Sequence, residues 1–162
     1  MLESSLEERA MSNKTPRSVI QRWFDEVWNE GKEAVIDELL APECVGHGLS
    51  EGDPDEYGSA EFKSFWRNMR AALPDARIHI QDTVVEGDKV AARVILEGTH
   101  SGHGLGCKAT GRSVHVPVIV MVRVVNGRMV ERWNSWDQLG LLRQLGGLAP
   151  ASQPDRFMTA RR

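Results

Sequence analysis

The order of periodicities along the chain predicts an α+β domain. Three observations carry this. Apolar residues recur at helical spacing through the first half, β-branched runs joined by hairpin turns fill the second, and the two kinds of segment do not alternate. Helices followed by a meander of strands mean antiparallel pairing and exclude a doubly wound sheet.

The elements follow in order. Thr15-Pro16 is a helix start, with a hydroxyl as N-cap and proline in the first turn. Val19, Ile20, Trp23, Phe24, Val27 and Trp28 then form one broad apolar stripe, which Asn29-Glu-Gly31 ends. A shorter helix carries Ala34, Val35, Leu39 and Leu40 up to Pro42, and Cys44–Gly48 reads as a brief strand or extended turn. Residues 49–58, rich in Gly, Asp, Glu and Pro, are expected to form a loop that could act as a lid. Ser59 can cap a third helix bearing Phe62, Phe65, Trp66, Met69 and Leu73. Strands are predicted at 76–85 and 89–100 around the turn Glu86-Gly87-Asp88, and at 113–125. A last strand follows Asn126-Gly127, and Leu139, Leu141, Leu142 and Leu145 then repeat like a short amphipathic helix. The domain is expected to span 15–148, between a flexible tail at 1–14 and a polar tail at 149–162.

Strand parity assigns faces. A two-residue turn at Asn126-Gly127 sets Val122 opposite Glu131, Val120 opposite Trp133 and Val116 opposite Asp137. The valines at 116, 118, 120, 122 and 124 form the buried face, so Glu131, Trp133 and Asp137 are expected to point inward with Val118 and Val120. A three-residue loop at Glu86–Asp88 likewise turns Ile78, Ile80, Asp82, Val84 and His100 inward. A β-bulge would reverse everything beyond it.

The inward polar set is thus Asp82, His100, Glu131 and Asp137, with His47 joining it from the short strand. A carboxylate among valines and an indole is desolvated, which raises its pKa toward the range of general acid/base work. Asp137 is therefore the expected proton-transfer residue, with His47 or His100 as donor to a developing enolate oxygen. A structural alternative stands beside each: an N-cap for Asp137, a satisfied core imidazole for His100, an arginine pair for Glu131, a strand-end hydrogen bond for Asp82. Trp23, Phe62 and Trp66 lie on the helical stripes expected to face the same space.

Several chemistries are set aside. A net charge of −3 offers no basic face for nucleic acid, and no apolar run reaches the length of a membrane span. The first ten residues lack the basic-then-apolar order of a secretory signal, and Cys44 and Cys107 are read as reduced thiols, so a cytoplasmic location is expected. His100-x-x-His103 fits no common zinc spacing, and the glycines at 102–111 link strands without opening a helix. Neither a metal nor a phosphate cofactor is expected. Met121, Ile119, Pro117 and Trp136 on the other strand face predict a homodimer.

The motif order resembles the SnoaL-like polyketide cyclases (ester cyclases) of the NTF2-like superfamily. It rests on Pro42-Glu-Cys-Val-Gly-His47, Leu73-Pro-Asp75, Glu86-Gly-Asp-Lys-Val90, Gly98-Thr-His-Ser-Gly102, Thr110-Gly-Arg112, Asn126-Gly-Arg128 and Glu131-x-Trp133-x-x-x-Asp137. The resemblance implies a cone of helices inside a curved antiparallel sheet, usually dimeric. It also implies a cofactor-free aldol ring closure on a small hydrophobic or polyketide-like ligand, with an acid at the position of Asp137 and a cavity-facing histidine at His47. The same fold also hosts proteins with no known activity, so a non-catalytic binding or dimerisation module is the alternative.

Overall fold

A computed structural model describes residues 14–49 and 55–147. Both expected tails, apart from Lys14, and the centre of the expected 49–58 loop lie outside the described residues.

Helix α1, Pro16–Arg22, begins as the sequence predicts: the Thr15 hydroxyl accepts the Ser18 N–H at 3.2 Å, with Pro16 in the first turn. It then widens into a π-helical segment, Trp23–Asn29. Five-residue hydrogen bonding brings residues four and five apart into line, so Trp23, Phe24, Val27 and Trp28 are all buried on one side. Asn29 anchors the segment to the sheet, its amide donating to the Ile78 carbonyl (2.9 Å) and accepting the Ile78 N–H (2.7 Å). Then come α2 (Ala34–Leu39), β1 (Leu40–His47), the two-residue β2 (Glu56–Tyr57) and α3 (Gly58–Ala72). Helix α3 starts one residue before Ser59, and the Glu61 carboxylate takes the Tyr57 N–H at 2.8 Å in place of a serine cap. The long strands are β3 (Arg77–Glu86), β4 (Lys89–Thr99), β5 (Ser113–Val125) and β6 (Arg128–Trp136), and α4 (Gln138–Leu145) closes the domain.

The strands form one sheet in the order β2-β1-β6-β5-β4-β3, antiparallel except that β1 runs parallel to β6. Its inner face is the expected valine face: Val90 and Val94 on β4, and Val116, Val120, Val122 and Val124 on β5, are all buried. Helix α1 and the π-helical segment lie in the sheet's curve, and α3 packs against β1. The architecture is the predicted α+β fold, helices held in a curved sheet.

Two registers depart from the expectation. The β5–β6 turn has Asn126 and Gly127 both at positive φ, as a tight hairpin demands, and pairs Val125 with Arg128 and Val124 with Met129. Val130 is then an extra residue. Arg123 faces Glu131, Val122 faces Arg132 and Val120 faces Asn134. Glu131 and Trp133 therefore point outward, contrary to parity, and Asp137 is exposed beyond the strand's end. Arg132, Asn134 and Trp136 point inward, so Trp136 does not belong to the outer face. In β3–β4 the turn is the two-residue Gly87-Asp88, and a bulge lies at Gln81. Asp82 and Val84 consequently face out, Asp82 pairing with Arg93 at 2.8 Å, whereas Ile78 keeps its predicted inward place opposite Leu96.

Candidate functional site in the sheet's concave face

Between the π-helical segment, α3 and the sheet lies a cavity of about 60 Å³. Its walls are aromatic on the helical side (Trp23, Phe24, Trp28, Phe62, Phe65) and aliphatic on the sheet side (Val94, Leu96, Val118, Val120). Trp23 and Phe62 rings meet at 4.7 Å, and Phe65 meets Trp136 edge-on at 6.4 Å. Polar lining comes from one strand: Arg132, Asn134 and Trp136, alternate residues of β6 beyond its bulge.

Each polar group is held. The Arg132 guanidinium, 3% exposed, lies 4.4 Å from the Phe62 ring centroid and 5.9 Å from that of Trp23, an arrangement that steadies a cation in an apolar wall. Gly46 on β1 makes room for it, because a Cβ there would sit 2.8 Å from Arg132 Nη2. The Asn134 amide donates to the His47 carbonyl at 3.0 Å, and the Trp136 indole N–H donates to the Leu49 carbonyl at 3.1 Å. Among the described residues, those that line the cavity thus supply a cation, a carboxamide and an indole, and no carboxylate.

The predicted site residues divide. Trp23, Phe62, Val118 and Val120 line the cavity. Trp66 is buried behind them, its indole N–H on the Val27 carbonyl at 3.3 Å. His100 is fully buried but does not line the cavity. The Thr110 N–H donates to its Nδ1 (3.3 Å), which leaves the hydrogen on Nε2, where it meets no protein acceptor. Asp137 is exposed and caps α4, taking the Gly140 N–H at 2.7 Å. It borders an open depression that shares Asn134 and Trp136 with the cavity lining.

His47, Glu131 and Trp133 assemble on the opposite face. His47 Nδ1 meets Asp55 at 2.6 Å, its Nε2 meets Glu131 at 3.2 Å, and its ring stacks on Trp133 at 5.5 Å. Arg123 holds the other Glu131 oxygen at 2.8 Å. The hydrogen bond to Asp55, with Glu131 behind it, raises the His47 pKa above its usual value against the opposing effect of burial. Arg123 and then His47 keep the Glu131 carboxyl below the usual carboxylate range. Among the described residues, no group of three His, Cys, Asp or Glu side chains is arranged to hold a metal ion, and no helix is long and apolar enough to cross a membrane.

Parity missed Arg132, Asn134 and Trp136. The signal was the apolar pair Met129-Val130, which breaks alternation at the bulge: Met129 is fully buried and Val130 packs against the same core.

Comparison with known proteins agrees with this architecture. The sequence profile of the SnoaL-like polyketide cyclases matches residues 18–145. Aklanonic acid methyl ester cyclase DauD of Streptomyces sp. (strain C5) is 28% identical over 151 residues, covering 88% of this chain and 93% of the relative. The corresponding cyclase DnrD of Streptomyces peucetius is 30% identical over 123 residues, 75% of this chain and 84% of the relative. Among solved structures, IdmH from Streptomyces antibioticus superposes with a TM-score of 0.70 at 34% identity, covering 81% of this chain and 98% of that one.

Proposed function

The chain belongs to the SnoaL-like polyketide cyclase family, and we propose that it is a cofactor-independent cyclase-type enzyme acting on a small, largely apolar carbonyl compound of polyketide type. The observation that carries this reading is the chemistry of the cavity lining, an aromatic and aliphatic wall with three hydrogen-bonding groups on one strand, Arg132, Asn134 and Trp136. At about 60 Å³ the space is smaller than such a ligand, which would also occupy the adjoining depression bordered by Asp137.

In the proposed reaction a C–H flanked by carbonyl groups loses its proton. The Arg132 guanidinium and the Asn134 carboxamide hold the enolate oxygen, worth most where water is excluded. The enolate carbon then attacks a second carbonyl of the same molecule. One C–C bond forms, the C=O π bond breaks, and the new alkoxide takes up a proton. Asp137 is the carboxylate we assign to the proton transfer, because its depression shares Asn134 and Trp136 with the cavity. His47 and His100 lie outside the lining, so the oxyanion role passes to Arg132 and Asn134.

Conversion of aklanonic acid methyl ester, the compound named in two relatives, followed by mass and chromatography, tests the assignment. Arg132→Gln is expected to lower kcat by about 10²–10³-fold, and Asp137→Asn by about 10²–10⁴-fold. Full activity in Asp137→Asn would leave that side chain a helix cap. A second reading, a non-catalytic small-molecule-binding module, is favoured by one observation: Asp137 is exposed and engaged with Gly140, and among the described residues no carboxylate lines the cavity. Binding of the ester without conversion would select it.

We also propose a homodimer, supported by the exposed outer face of β5, where Ile119 is 55% exposed beside Pro117. Light scattering at micromolar concentration tests it against an 18.1 kDa monomer. A cytoplasmic location is supported by Cys44 and Cys107, which form no disulfide.

A further inference from the structure

The three polar groups of the cavity share one neighbour, the short segment Gly46–Leu49 at the end of β1. Gly46 leaves the space that the Arg132 guanidinium fills. The carbonyl of His47 receives the Asn134 amide, and the carbonyl of Leu49 receives the Trp136 indole N–H. Between them Gly48, at φ +76°, passes so close to the Asn134 backbone oxygen that a Cβ would overlap it. A displacement of this segment is therefore a displacement of Asn134 and Trp136.

Gly46 and His47 are held to β6 by ladder pairing with Arg132 and Trp133, and Gly48 and Leu49 run on beyond the last pair. On one side β1 pairs only with β6, and its register shifts between Leu40 and Val45. On the other side it has the two-residue β2, which reaches only Val45 and Gly46. Inside the sheet Leu49 packs against the core, and on the outside the side-chain anchor is His47. Asp55 and Glu131 grip the two ring nitrogens, and Trp133 supports the ring face. Two further charges belong to this surround: Arg123, on the far oxygen of Glu131, and Lys89, whose Nζ lies 5.8 Å from the Trp133 ring centroid.

We propose that His47 is a positioning residue: bridged between Asp55 and Glu131 outside the cone, it sets through Gly46–Leu49 where Asn134 and Trp136 present their hydrogen-bonding groups inside it. Both bridges are ionic only while the imidazole carries its second proton. The pKa of His47 is raised by those partners. The grip is therefore complete below the ordinary histidine value and lost as pH rises through the raised one. Asn134 and Trp136 inherit that dependence although neither titrates.

The assignment of Asn134 and Trp136 to the reacting cavity rests on the proposed cyclase reading; the mechanical coupling does not, and it is tested without substrate. In proton–nitrogen spectra of the full chain, the Asn134 side-chain amide and the Trp136 indole N–H are expected to shift with pH. Their midpoint should match that of the His47 ring protons. In His47→Gln both dependences should vanish. In Glu131→Gln, which keeps the imidazole and removes one grip, all three midpoints should fall together. Asn134 and Trp136 signals that stay fixed while His47 titrates would overturn the proposal, as would signals that still titrate in His47→Gln. Turnover of aklanonic acid methyl ester is measured separately. With turnover, the change in kcat that the wild-type protein shows at the His47 midpoint should be absent in His47→Gln. Coupled shifts with no turnover would remove the cyclase reading alone.

Discussion

The two long hairpins obey the same rules and differ in where their extra residue falls. Both close with two-residue turns and both carry one bulge. In β3–β4 the strand residue at Gln81 replaces what looked like a third loop residue. The pairs beyond it, Ile80 with Val94 and Ile78 with Leu96, are therefore those that a longer loop predicts. Only the residues between turn and bulge change face, Asp82 and Val84 turning outward. In β5–β6 nothing offsets the bulge at Val130, and every residue beyond it changes face. The first bulge moves a surface ion pair; the second decides what lines the cavity. A turn motif thus determines register only as far as the first bulge.

The most direct test of this comparison is to delete Val130. With the extra residue gone, a regular ladder from Asn126-Gly127 still sets Arg123 opposite Glu131 and Val122 opposite Arg132. Arg132 therefore stays inside, and the expected loss is that of the Val130 packing, no more than about 3 kcal/mol. Urea unfolding should show a folded variant with that loss, and a variant with no folded state would refute the role given to Val130 as the extra residue. Next in size is Gly46→Ala, whose methyl group would press on the Arg132 guanidinium. Overpacking of this kind costs about 1–3 kcal/mol. Weaker binding of the ester should accompany it.

At the far end of the same hairpin, Asp137→Ala should cost about 1 kcal/mol through the lost α4 cap, and Asp137→Asn nearly nothing, by thermal or urea unfolding. In the β3–β4 hairpin, Asp82→Ala should change stability by no more than about 0.5 kcal/mol, because its pair with Arg93 is exposed. The two bulges then differ in consequence as the faces require.

The pH dependence sharpens the comparison further. The depressed Glu131 carboxyl contributes stability above its unfolded value and loses it as pH falls through the folded one. The raised His47 contributes below its unfolded value and loses it as pH rises through the folded one. The outer cluster is therefore most stabilising between about pH 4 and pH 7. Beyond that range the fall of the urea midpoint should be shallower on both sides in Glu131→Gln, and in His47→Gln chiefly on the alkaline side, because Arg123 still holds Glu131.

Much of the fold was legible because it depends on local periodicity. The stripe from Val19 to Trp28, the strand at 113–125, the Asn126-Gly127 turn and the valine face all stand where spacing and turn chemistry put them. The aromatic half of the cavity followed, since Trp23 and Phe62 lie on helical stripes with one possible inward side. The polar half did not. It hangs on a single extra residue, and Met129-Val130 is a weak mark beside the strong valine alternation opposite.

By itself, then, the amino-acid sequence determined the α+β order, the apolar faces and the family resemblance. All of these come from interactions within a turn of helix or across a hairpin. Only the tertiary structure decided that Arg132, Asn134 and Trp136 look into the cone while Glu131 and Trp133 look out, and that the sheet ends before Asp137. The reason is cooperative. A bulge is stable where the sum of burial on one face and ion pairing on the other exceeds the lost ladder hydrogen bond. That sum includes Phe62 against Arg132, and Asp55, His47 and Arg123 around Glu131, contributed by elements far apart along the chain.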